Sequence, residues 1–219
     1  MPESKKADAR IVERYRKRTV VLHWLHAAAF LVLAVTGAVT FFQTTGYSNI
    51  YIAKILHRIA AVIFIVVPVI NYLVNPKSTA GFIKETFTWG RDDLKWFLAA
   101  PDYYFGGSGE RMPPQGHINA GQKVWQLIIM TTGLVFIVTG IALWGFRSEL
   151  ALPVYKWILL VHGAAFIIII LMFVVHVYLG VFHPRFTESL PSMFTGRISE
   201  AYAKAHYRKW FEDRNKNKA

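Results

Sequence analysis

Long apolar runs separated by short polar segments dominate the chain. Four of them, Thr19 to Phe42, Ile52 to Val74, Val124 to Phe146 and Val154 to Phe182, exceed the roughly 18 residues that suggest a bilayer span. Hydrocarbon offers the backbone no water, so each run is expected to be a helix that satisfies its own N–H and C=O groups. The short connections around Gly46 to Tyr51 and Arg147 to Pro153 make the first and last helix pairs antiparallel neighbours. The pattern predicts an all-α integral membrane protein, a four-transmembrane-helix bundle forming one domain over residues 1–219.

The polar segments have their own texture. In the connection 75–123, the stretch Gly81 to Phe97 mixes aromatics with charges, as helices lying along a membrane surface do. In the tail 183–219, Ser189 to Lys209 has helical character, with Tyr202, Tyr207, Trp210 and Phe211 among basic residues. A solvated tail and a docking surface suit that composition equally. The first apolar run follows basic residues, as a signal peptide would, but it is too long for an h-region of about 7–15 residues and no small-residue cleavage site follows.

Composition agrees with the pattern: 54% of residues are hydrophobic and 17% charged, against about 25% charged in soluble domains. The absence of cysteine excludes disulfides, iron–sulfur clusters and thiolate chemistry within this chain. The formal charge of +12 first suggests nucleic acid, yet its distribution is topological. Seven Lys and Arg precede Thr19, six lie between Asn75 and Lys123, and eight follow Phe182. Only Lys54 and two residues from Arg147 to Lys156 flank the opposite ends. Both termini and the middle connection are therefore expected to be cytoplasmic.

Histidines at membrane depth are the candidate chemistry, because an ionisable group there is costly to keep. His162 and His176 are 14 residues apart on the fourth run, which places them about 40° out of register and ~21 Å apart along a helix. The predicted orientation pairs His23 with His176 near the cytoplasmic end and His57 with His162 near the outer end. Paired imidazoles at two depths suit the axial positions of two b-type haems. For any one histidine, a hydrogen bond to a neighbouring helix is the plainer explanation; four at matched depths reverse that preference. No Asp or Glu lies in any run, which disfavours a carboxylate metal site. His26 is placed near the inner haem or a quinone without ligating iron. His117, His183 and His206 are read as solvated or interfacial, with His183 a candidate propionate contact. Arg58, beside His57, is a candidate cofactor-binding cation for a propionate, or else snorkels to headgroups. Gly37, Gly133, Gly140, Gly163 and Gly180 suit either close approach of a flat macrocycle or close helix packing.

Taken together, Leu22-His23-Trp24, Ile55-Leu56-His57, Asn119-Ala120-Gly121-Gln122-Lys123, Leu159-Leu160-Val161-His162-Gly163-Ala164-Ala165, His176-Val177-Tyr178 and the tail Ala205-His206-Tyr207-Arg208-Lys209-Trp210 resemble the cytochrome b (gamma) subunit of respiratory membrane-bound formate dehydrogenases. The resemblance implies two haem b groups with the same histidine pairing, and a quinone site at Asn119, Gly121, Gln122 and His176 that takes menaquinone or another quinone. It also implies partners: an iron–sulfur electron-transfer subunit, a periplasmic catalytic molybdenum or tungsten subunit, membrane lipids, and a higher oligomer of the complex, with no nucleic acid. Electrons would pass from formate through the outer and inner haems to quinone on the cytoplasmic side of the respiratory chain, the formate-oxidising site lying on another chain. Arg58 stands where the family can place a different residue, and the stretch Asp102 to Gly107 lies outside the matching segments. The same module serving a hydrogenase or another molybdenum or tungsten oxidoreductase, and a haem-free anchor or transporter, remain the alternatives. The residue-level reading leaves Asn119 free to be no more than a helix cap.

Overall fold

The computed structural model describes residues 10–43 and 45–216. Lys5, Lys6 and Lys218, part of the basic flanks used for orientation, lie outside the described residues. In chain order the elements are β1 (Ile11–Glu13), α1 (Lys17–Phe42), α2 (Tyr47–Val74), α3 (Pro76–Phe87), α4 (Arg91–Tyr104), α5 (Ala120–Gly145), α6 (Leu152–Val177) with a π-helical turn over Tyr178–Phe182, α7 (Ser189–Thr195), β2 (Arg197–Ser199), α8 (Glu200–His206) and α9 (Arg208–Lys216).

Two compact units share these elements. The first comprises Val21–Pro76 and Leu127–Tyr178, the bulk of α1, α2, α5 and α6. Each of these helices is long and apolar enough to cross a membrane, at 26, 28, 26 and, with the π-helical turn, 31 residues. The shortest is therefore about 39 Å long, more than the ~30 Å of bilayer hydrocarbon. Large apolar side chains such as Val35, Leu73 and Leu171 face outward, which is costly in water and natural where lipid is the solvent. Small residues, Ala29, Ala53, Ala60 and Ala165, fill much of the interior and let the backbones approach. An aromatic layer crosses this unit: Phe30 lies 4.8 Å from Phe173 and 6.5 Å from Phe64 between ring centres.

The second unit comprises residues up to Val20, Lys77–Gln126 and Leu179–Ala219. Its charged and aromatic middle segment forms two helices, α3 and α4, where the sequence suggested surface-lying helix without resolving a break. The tail is not fully solvated: it folds one face inward and leaves Lys204, Arg208 and Lys209 exposed. Its aromatics Tyr202, Tyr207 and Phe211 are buried with Val12, Ile198 and Ala203, because β2 pairs antiparallel with β1, Val12 opposite Ile198. Gly196, at φ 73°, ends α7 in a left-handed conformation and gives its carbonyl to the backbone N–H groups of Arg14 and Tyr15. A side chain there would collide with the Tyr15 carbonyl, so the turn requires glycine.

Candidate functional site

In the first unit, α2 carries His57 and α6 carries His162, with ring centres 6.4 Å apart and planes inclined at 59°. Each imidazole is held from behind by the neighbouring helix of its own hairpin. Thr36 Oγ1 on α1 is 2.9 Å from His57 Nδ1, and Thr139 Oγ1 on α5 is 2.7 Å from His162 Nδ1. Each threonine hydroxyl also donates one turn back along its own helix, Thr36 to the Val32 carbonyl at 2.6 Å and Thr139 to the Val135 carbonyl at 2.5 Å. A glycine follows each threonine, and a Cβ at Gly37 or Gly140 would sit 3.5 or 3.9 Å from the Cε1 of the adjacent histidine.

The two histidines line a cavity of about 650 Å³ within this unit, in the range of cofactor pockets. Its walls are mainly aliphatic and aromatic, and among the described residues its only charged lining side chains are Lys54, Arg58 and Arg147. Arg58 lies 5.4 Å over the Trp144 ring, and Arg147 donates to the Tyr155 hydroxyl at 2.5 Å. Sequence reasoning singled out Arg58 but passed over Lys54, Arg147, Thr36 and Thr139; Lys54 and Arg147 read as span-flanking charges, and threonines in apolar helices give no warning.

A haem fits this chamber. If two imidazoles shared one metal at the bond length of about 2 Å that imidazole makes to zinc, their ligating nitrogens would be about 4 Å apart and their ring centres a ring radius farther out on each side. The observed 6.4 Å suits that arrangement. An apolar wall with three cations and no carboxylate suits a flat macrocycle bearing two propionates. Among the described residues no three His, Asp or Glu side chains group so as to hold a bare metal ion.

At the other level of the same unit, His23 on α1 and His176 on α6 are within electrostatic reach of each other. His23 meets the Trp24 ring edge-on at 5.5 Å. His26 is also within electrostatic reach of His23, and its ring stacks on Phe64 of α2 at 4.0 Å and 28°, beside the aromatic layer of Phe30, Phe64 and Phe173.

The Asn119 to Lys123 motif belongs to the second unit and opens α5 with reciprocal caps. The Gln122 N–H donates to Asn119 Oδ1 at 2.9 Å, and the Asn119 N–H donates to Gln122 Oε1 at 2.9 Å, satisfying two backbone donors at once. Lys123 donates to Asp93 Oδ1 at 2.7 Å and to the Thr88 carbonyl at 2.8 Å. Gly121 lies against Trp96, where a Cβ would come within 2.6 Å of the buried indole. Gly121→Ala is therefore expected to cost about 1–3 kcal/mol by overpacking, read as a lower unfolding temperature of the solubilised protein with its absorption spectrum unchanged.

His117 and His206, read as solvated or interfacial, and His183, read as solvated or as a propionate contact, all pack against aromatic rings. His183 is buried, with Nε2 3.3 Å from the Tyr104 carbonyl. His206 Nδ1 lies 3.0 Å from the Tyr103 hydroxyl. His117 packs between Tyr15 and Trp210 at 6.0 and 5.8 Å. Burial, aided by the nearby Arg14 guanidinium, holds His117 down to about 4, and burial does the same for His206, down to about 4. Both are neutral at physiological pH. The physical reason is the tail aromatics, which pack over these rings and exclude water.

Comparison with known proteins adds an independent line. The family model described as prokaryotic cytochrome b561 matches residues 14–196. The cytochrome b556(Fdn) subunit of the nitrate-inducible formate dehydrogenase of Escherichia coli (strain K12) is 26% identical over 210 residues, covering 90% of this chain and 88% of that protein. The cytochrome b556(fdo) subunit of formate dehydrogenase from the same strain is 24% identical over 217 residues, with 92% of each chain covered. A formate dehydrogenase cytochrome b556 subunit of Haemophilus influenzae is 22% identical over 217 residues, covering 94% of this chain and 84% of that protein.

Proposed function

The chain belongs to the prokaryotic cytochrome b561 family, and from that premise we propose that it is the di-haem cytochrome b subunit of a respiratory formate dehydrogenase. In this reading it anchors the complex in the cytoplasmic membrane and passes electrons from an iron–sulfur subunit to quinone. The observation that carries it is the His57–His162 pair, 6.4 Å between ring centres, on a cavity whose charged lining is wholly cationic. Arg58, with Lys54 and Arg147, would neutralise the propionates. His23 and His176 would hold the second haem at the other depth of the bundle. A haem bound between two histidines supplies one-electron transfer between ferric and ferrous iron and leaves no axial site for oxygen.

The chain's own residues do the rest. The apolar helix walls keep water from both centres, and the separation of His162 from His176 along α6, ~21 Å, sets the two apart across the bilayer. Asn119, Gly121, Gln122 and His176 are the quinone candidates, on the strength of the family resemblance. Asn119 and Gln122 already serve as reciprocal caps, so a quinone there would meet a backbone held in one geometry. The basic flanks favour a cytoplasmic side for the termini and the middle connection, where quinone reduction would draw its protons.

The complex purified from native membranes should show reducible b-type bands equivalent to two haems per copy of this chain, and formate should reduce them. Absence of b-type bands from a fully loaded preparation would falsify the haem assignment. Reduction by hydrogen and not by formate, with a hydrogenase large subunit co-purifying, would overturn the choice of partner and leave the haem assignment standing.

A further inference from the structure

Resting on the assignment of a haem between His57 and His162, we propose that Thr36 and Thr139 are paired positioning residues that fix the tautomer and ring angle of both axial ligands and thereby hold down that haem's reduction potential. A threonine hydroxyl has a single proton. In Thr36 it is committed to the Val32 carbonyl at 2.6 Å, and in Thr139 to the Val135 carbonyl at 2.5 Å, since a carbonyl oxygen that close can only be accepting. The short contacts to His57 Nδ1 at 2.9 Å and His162 Nδ1 at 2.7 Å must then be donated by the imidazoles. With Nδ1 carrying the proton, each neutral ring has its lone pair on Nε2, the nitrogen available to iron.

The arrangement occurs twice with the same parts. A Thr-Gly pair on the first helix of a hairpin faces a histidine on the second, 21 residues later for Thr36 and 23 for Thr139. Both ligands of one metal therefore receive the same support from opposite sides. β-branching and the back-bond to the helix carbonyl restrict the threonine rotamer, and the fixed hydroxyl in turn fixes the ring. The adjacent glycine keeps the other flank of the imidazole clear, since the nearest Cβ position is already in contact with Cε1. A hydrogen bond accepted from Nδ1–H makes the imidazole a stronger donor to the metal, which favours the ferric state. The two positions are not equivalent, because the His57 ring has a second acceptor in the Leu33 backbone carbonyl.

The test is redox titration and low-temperature EPR of the complete membrane complex carrying Thr139→Val or Thr36→Val, with haem content measured alongside. With haem retained, each valine variant should raise the potential of one and the same haem. At a fixed ambient potential its reduced-to-oxidised ratio should grow between about twofold and tenfold, the net worth of one hydrogen bond. Thr139→Val should shift it more than Thr36→Val, and the low-spin EPR signal of that haem should move as the ring angle relaxes. Thr139→Ser, which keeps the hydroxyl, should restore the original values. Unchanged potentials and EPR in both valine variants, or shifts in two different haems, would overturn the proposal. Should a valine variant lose haem, Thr139→Cys against Thr139→Ser decides: thiol is a poor acceptor, so equal potentials overturn the proposal and a higher one in the cysteine variant sustains it. Absence of haem from the unmodified complex would instead refute the assignment beneath it.

Discussion

Replacing His162 by alanine is expected to cut the haem content of the complex from two to one per chain, leaving a single wave in the redox titration. The size of the effect follows from geometry: alanine cannot reach the metal, and His57 alone would face an open cavity of about 650 Å³ with nothing opposite it. His57→Ala should remove the same centre. His23→Ala and His176→Ala should remove the other, because they lie at the opposite level of the bundle, beyond the layer of Phe30, Phe64 and Phe173. Pyridine haemochrome quantification with potentiometry separates the outcomes. Loss of one shared centre in all four variants would break the pairing, and full haem retention in His162→Ala would remove that residue from the ligand set. His26→Ala is the internal control: its ring is engaged with Phe64 at 4.0 Å, so both haems should remain.

Histidine positions were legible in the sequence because hydrocarbon makes them conspicuous. One imidazole within a run of Leu, Ile and Val is costly and could still serve helix packing; helical periodicity gives the depths, and it was four at matched depths that stood out. The four spans were legible for the same reason, although their ends were not. α5 begins at Ala120, four residues before the apolar run, because the Asn119–Gln122 caps and the buried Lys123–Asp93 pair let polar residues join the helix. α2 begins at Tyr47, ahead of its apolar run, since nothing in Tyr47-Ser48-Asn49 opposes helix once the following turns are formed. The β1–β2 pairing was invisible because each strand has three residues and the partners lie at opposite ends of the chain. That pairing buries Tyr202, Tyr207 and Phe211, and Tyr202 and Trp210 in turn cover His206 and His117, which is why those two rings were misread. Thr36 and Thr139 were hidden by their ordinariness: a threonine bonded to its own helix carbonyl is common in apolar helices, and only the packing of two hairpins shows what else the oxygen touches.

The second large effect is expected away from the haems, in Asp93→Ala. The carboxylate accepts from Lys123 Nζ at 2.7 Å through Oδ1 and from the Gly90 N–H at 2.8 Å through Oδ2, and both side chains of the pair are only 10% exposed. Removing it leaves a buried ammonium with the Thr88 carbonyl at 2.8 Å and the Trp89 ring, whose centre is 5.5 Å away. Breaking one side of such a pair costs about 3–5 kcal/mol, well above the cost of the Gly121→Ala overpacking. The loss should appear as a lower unfolding temperature of the solubilised protein. Because desolvation of the two charges offsets much of their attraction, the double variant Asp93→Ala with Lys123→Met should recover most of the difference. A double variant no more stable than Asp93→Ala would mean that the carboxylate acts chiefly through its cap on Gly90, and not as the counter-ion of Lys123. Recovery would identify the pair as the fastening that holds α4 against the first turn of α5, the turn in which Asn119, Gly121 and Gln122 stand.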